Sequence, residues 1–86
     1  MIVKLFTQPN CPKCPAAKEL VLSIKKKVLR VKIEEYDTTT VDGMAEASFY
    51  TVLATPTILI CNDEGKITKD FRGEAPALEE ILPFVK

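Results

Sequence analysis

Apolar and polar positions change period several times along the chain, and each change predicts a new element. The run "IVKLF", Ile2 to Phe6, is short and largely apolar, and the turn-forming "TQPN" follows it, so a buried strand ending near Thr7 is predicted. From Pro12 the period lengthens. Ala17, Leu20, Val21, Ile24 and Val28 recur at three- and four-residue spacing, with Lys18, Glu19 and Lys25 to Lys27 opposite them, as in an amphipathic helix. Its basic last turn complements the helix dipole and reads as a solvated face. "RVKIEEYD" alternates Val31 and Ile33 with Lys32 and Glu34, the two-residue period of a strand exposed on one face. Thr38 to Asp42 offers caps for a short second helix, whose expected apolar stripe is Val41, Met44, Ala45, Phe49 and Val52, although Gly43 weakens its start. "TILIC", "NDEG" and "KITKDFR" then read as strand, turn and strand, an antiparallel hairpin. Pro76 suits the first turn of a last helix with Leu78, Ile81, Leu82 and Val85 on its apolar side, bent or frayed at Pro83.

The resulting order, β-α-β-α-β-β-α, defines an α/β fold. The first two strands need the intervening helix as a right-handed crossover and are therefore parallel, whereas the hairpin is antiparallel, so a four-stranded mixed sheet flanked by helices on both faces is expected. Eighty-six residues without repeats or linkers suit one domain, 1–86. With 47% hydrophobic and 28% charged residues the chain has enough apolar surface to fold as a soluble domain. Twelve basic residues balance twelve acidic ones, which leaves no electrostatic footprint for nucleic acid or an anionic bilayer. No apolar run approaches the roughly 18–20 residues of a membrane span, and "MIVKLF" is too short and too interrupted for a secretory signal. A monomer in the cytoplasm is the expectation.

Chemistry concentrates in "NCPKCP", Asn10 to Pro15. A structural zinc site wants four Cys or His ligands, but histidine is absent and the third cysteine, Cys61, lies within an apolar strand; only a dimer could assemble two pairs. An inert disulfide closing so short a loop would restrict the unfolded chain little, and a reducing compartment would oppose it. The redox alternative uses the surroundings better. At a strand-to-helix junction Cys11 would lie among unpaired N–H groups at the positive end of the dipole, which favours its thiolate and makes it the nucleophile. Cys14, about one helical turn later, would be the resolving thiol. Pro12 stiffens the geometry between them and Lys13 adds positive charge or is merely solvated. Cys61 reads as a small buried hydrophobe, and Tyr36 and Tyr50 as tethers at the core's edge.

These features resemble the thioredoxin-like oxidoreductases, and among them the small glutaredoxin-sized proteins of archaeal and bacterial type. The resemblance rests on "FTQPNCPKCP" after the first strand, "ATPT" before the third and Gly73 after the fourth, and covers nearly the whole chain. On the residues alone, Thr55-Pro56 says only that a proline opens a strand. The resemblance implies that Pro56 is cis and faces the cysteines, and that Thr55 offers backbone hydrogen bonds to an extended substrate. It also implies reduction of protein disulfides without a bound cofactor, and recycling by a flavin-dependent reductase of the thioredoxin reductase type.

The departures are specific. Typical thioredoxins carry an additional N-terminal strand and helix, a tryptophan before the first cysteine and an acidic residue six positions before it; Asn10 and Leu5 stand at those last two positions. The proton acceptor for the second thiol is thus not identified. Glutaredoxins share a C-P-x-C motif, but "FRGEAPAL" has one glycine where their glutathione site usually has two, leaving Lys4, Lys13 or Arg72 as the cations that could meet a glutathione carboxylate. The alternatives to a thioredoxin-like reductase of protein disulfides are a glutathione-dependent glutaredoxin and a non-catalytic binding module or metal-bridged dimer.

Overall fold

The computed structural model describes residues 1–85. Strand β1 (Ile2–Thr7) lies between β2 (Lys32–Asp37) and β3 (Thr57–Cys61), and β4 (Ile67–Arg72) closes the order β2-β1-β3-β4. Pairing of β1 is parallel to β2 and antiparallel to β3, and β3 pairs antiparallel with β4. The mixed four-stranded sheet of the expected α/β fold is therefore present. Central position explains composition: every residue of β3 is buried, whereas the edge strands β2 and β4 keep exposed polar positions.

Helices cover both faces. On one, Val3 and Leu5 of β1 and Ile58 and Ile60 of β3 pack against Ala17, Leu20 and Ile24 of α1 (Cys14–Lys27). Ile81 and Val85 from the C-terminal segment join this cluster. On the other face Phe6, Leu59 and Cys61 pack against Ala47 of α2 (Val41–Phe49), with Tyr36 and Tyr50 at the margin. Cys61 is fully buried, in keeping with its reading as a small hydrophobe, and burial pushes its thiol up.

Three local expectations are corrected. Helix α1 begins at Cys14 rather than Pro12, because residues 11–13 form a turn closed by the Cys14 N–H on the Cys11 carbonyl, and the proline in its first turn is Pro15. The buried face of α2 is Gly43 and Ala47; Val41, Met44 and Phe49 are exposed. That rotation follows from close approach: a Cβ at Gly43 would overlap the Asp37 carbonyl, so the helix seats its smallest residues on the sheet. Finally, Pro76 precedes α3 (Leu78–Ile81) instead of opening it, and the helix passes at Leu82 into a 3-10 turn, Leu82–Phe84, that accommodates Pro83.

Candidate redox site

Both cysteines of the C-x-x-C pair stand at the C-terminal end of β1, where the loop of residues 8–13 hands over to α1. Asn10, immediately before Cys11, has φ 63°, a left-handed conformation that asparagine tolerates better than most side chains. Cys11 and Cys14 are joined as a disulfide with their Cα atoms 5.3 Å apart. Cys11 is 9% exposed and Cys14 4%, so the first residue of the pair is the more accessible. Pro12 and Lys13 between them are exposed. The pair opens onto a cleft of about 570 Å³ that Gln8, Pro15 and Lys18 also line.

The helix terminus beside this pair has no side-chain cap and no acidic residue in its first turn, and Pro15 contributes no N–H. Among the described residues, therefore, no acidic side chain in the first turn of α1 neutralises the positive pole of the dipole.

Thr55 and Pro56 come to the same edge of the sheet. In the antiparallel pairing of β1 with β3, Phe6 stands opposite Thr57, so the residues just before β3 lie beside those just after β1. The Thr55–Pro56 peptide is cis, and Pro56 is buried with its carbonyl accepting the Gly73 N–H at 2.8 Å. Gly73 has φ 76°, which suits glycine. Gln8 lines the cysteine cleft and a second one of about 130 Å³ that includes Leu53, Ala54 and Thr55, so one side chain borders both.

Two of the three cations considered for a carboxylate ligand are engaged elsewhere. Lys4 is buried under α2 with its ammonium 2.9 Å from Glu46 and 3.2 Å from Glu34, above the ring of Tyr50. The Arg72 guanidinium donates to the carbonyls of Tyr50 and Thr51 and to Asp70. Lys13 alone stays at the cysteines. Gln8 and Lys18 border the site without having been singled out from sequence; Lys18 could have been found, since it lies four residues after Cys14 on the same helix face.

A C-x-x-C disulfide at the N-terminus of the first helix on this β-α-β-α-β-β-α frame defines a thiol–disulfide oxidoreductase. The thioredoxin domain family matches residues 1–86, and the chain belongs to it. It is 33% identical over 84 residues to a thioredoxin of Methanocaldococcus jannaschii, across 98% of this chain and 91% of that one. Among solved structures, Fasciola hepatica thioredoxin superposes with a TM-score of 0.80 at 26% identity, over 99% of this chain and 80% of that one. A mutant thioredoxin from Halobacterium salinarum gives 0.83 at 18% identity, over 98% of this chain and 70% of that one, a likeness of fold. No helix among the described residues is long and apolar enough to cross a membrane.

Proposed function

We propose that this oxidoreductase reduces protein disulfides by a two-step exchange in which Cys11 attacks and Cys14 resolves. The observation that carries the reading is the position of the pair: Cys11 is the more exposed residue of the two, one turn ahead of a helix terminus whose first turn holds no acidic side chain. The Cys11 thiolate forms a bond to one sulfur of the target disulfide and displaces the other as a thiolate. Cys14 then attacks the Cys11 sulfur, closing the Cys11–Cys14 bond and releasing the second target thiolate. Two electrons pass from the protein dithiol to the target, and protons from the solvent complete its thiols. Pro12 and Lys13 shape the approach to Cys11. Thr55, presented by the Pro56 turn, offers its backbone to an extended target segment, a mode of recognition tolerant of target sequence.

A flavoprotein of the thioredoxin reductase type recycles the disulfide, and the protein works as a cytoplasmic monomer with no bound cofactor. Engagement of Lys4 and Arg72 away from the cleft argues against a glutathione-dependent glutaredoxin. The test is an insulin-type reduction assay run beside a glutathione-coupled one. Turnover is expected in the first with a flavoprotein reductase, and brisk turnover with glutathione alone would displace the reading. Cys11→Ser is expected to abolish reduction, and Cys14→Ser to accumulate the mixed disulfide, seen as a mass increment; the converse pattern would mean the roles are exchanged.

A further inference from the structure

Resolution requires Cys14 as a thiolate, yet Cys14 is 4% exposed and burial disfavours the charged form of a thiol. The neighbouring residues of β1 do not help, because Leu5 and Thr7 carry no charge at neutral pH. Charge comes from α1 and β2 instead. Lys18 lies about one turn beyond Cys14 and lines the cleft that holds both cysteines. The same side chain lines the adjoining cleft with Leu5 and Glu35, so it spans the gap between the cysteine pair and β2. Its ammonium is 3.6 Å from Glu35 Oε1, and Glu35 stands opposite Leu5 in the β1–β2 register.

The remaining charges around Cys14 are few. Asp37, two residues beyond Glu35 on β2, is held below the usual carboxylate range first by hydrogen bonds from Thr39, with a smaller contribution from Lys18. Lys13 is exposed at the start of α1. Glu79 and Glu80 of α3 and Glu74 are exposed and line neither cleft.

We infer that Lys18, which rests on Glu35 in the oxidised protein, stabilises the Cys14 thiolate during resolution. This rests on the exchange mechanism proposed above. The ammonium sits on a flexible four-carbon arm, more than half exposed, and rests on Glu35 while Cys14 is oxidised. In the mixed disulfide Cys14 gives its proton to solvent through the open cleft, and Lys18 turns to the sulfur anion. The anion then forms the Cys11–Cys14 bond and expels the target thiolate, whose protonation balances the proton released. Lys18 acts through Cys14 and is a positioning residue; Glu35 competes for the same ammonium and opposes it.

The two residues therefore act with opposite signs, which a merely structural role would not produce. In Cys11→Ser protein, the Cys14 Cβ chemical shift is followed across pH. Lys18→Met is expected to raise the Cys14 pKa by about half a unit to one unit, as befits a half-exposed partner. Glu35→Gln is expected to lower it, and Lys18→Arg to hold it near the parent value. In protein retaining both cysteines, Cys11 is loaded as a mixed disulfide with a chromogenic aryl thiol and its release is timed. Lys18→Met should slow release about two- to threefold at neutral pH, the loss of thiolate being partly offset by the greater nucleophilicity of the more basic sulfur, and the difference should shrink as pH rises. An unmoved Cys14 titration in folded Lys18→Met and Lys18→Ala, or shifts of the same sign in Lys18→Met and Glu35→Gln, would overturn the inference. The titration needs no turnover, so a parent protein that fails to reduce insulin sinks the exchange mechanism, while the Cys14 shift still reports separately on Lys18.

Discussion

Thr51 ends α2 with φ 55°, a left-handed conformation that is uncommon for a β-branched residue. The N–H of Val52 reaches back to Ala47 at 2.8 Å and that of Thr51 to Ser48 at 3.2 Å, the bond pattern of a helix end that usually takes glycine at this position. Arg72 clasps the turn through the Tyr50 and Thr51 carbonyls and holds it in place. Thr51→Gly should relieve the conformation and gain about 0.5–1 kcal/mol, part of the relief being offset by the freer unfolded glycine; an unchanged or lower urea midpoint would contradict this. Gly43 gives the opposite case. Its Cβ position is occupied by the Asp37 carbonyl, so Gly43→Ala should cost about 1–3 kcal/mol despite alanine's better helix propensity. Urea unfolding of the two variants side by side checks both signs.

At the scale of elements, a charged cluster joins the apolar contacts of Ala47 in fastening α2 to the sheet. Lys4 from β1 meets Glu34 from β2 and Glu46 from α2, and the Tyr36 hydroxyl donates to Glu34 at 2.8 Å. The Tyr36 hydrogen bond, against the opposing effect of burial and with help from Lys4, holds the Glu34 carboxyl below its ordinary 4.5. A lowered carboxyl stabilises the fold above its ordinary pKa and loses that contribution as pH falls through the folded value, so stability should drop below about pH 4.5, and Glu34→Gln should flatten that limb of a urea-midpoint profile. Burial opposes the charge on Lys4, but hydrogen bonds to Glu46 and Glu34 outweigh it and raise its pKa above 10.5. Burial and the bond to Glu34 push Tyr36 up to about 12 from 10.0. Both raised groups stabilise fully below their ordinary values and lose that stability as pH climbs through the folded ones, so a second limb should fall above about pH 10. Lys4→Met leaves Glu46, about three-quarters buried, without its cation and Glu34 with only the exposed Lys32 at 3.5 Å, at an expected cost of about 1–3 kcal/mol at neutral pH. The cluster was not legible in sequence, because "IVKLF" places Lys4 in an apolar strand without naming its partners, which lie 30 and 42 residues away. The stripe expected on α2 failed for a related reason: periodicity weighs side-chain size, while the seating of this helix is set by the close approach that only Gly43 permits.

Across the whole molecule, the redox pair and the hydrophobic closure lie at opposite ends of the sheet. Element order, the mixed sheet and the C-x-x-C pair were readable because each depends on local pattern: two-residue and 3.6-residue periods, turn residues and one short motif. Lys18 and Gln8 were not singled out, since their part depends on which walls the fold brings around the cysteines. The C-terminal segment illustrates the other end. Val85 borders a cleft with Met1, Val28 and Val31, away from Cys11, and is 2% exposed; Ile81 is fully buried against the β1–β3 face. Phe84 lies beside them but is 41% exposed. A core truncation removes transfer free energy and leaves a cavity, so Ile81→Ala should cost about 2–4 kcal/mol, whereas Phe84→Ala, already wet on one side, should cost about 1. For a domain of this size each kcal/mol lowers the Tm by roughly 4–8 °C, so thermal unfolding separates the two by a wide margin. Because Val85 is remote from the dithiol, Val85→Ala should lower the Tm while leaving the rate of mixed-disulfide release unchanged below the transition. A matching loss of release rate in folded Val85→Ala would show that closure of the far end and the chemistry at the cysteines are coupled through the sheet.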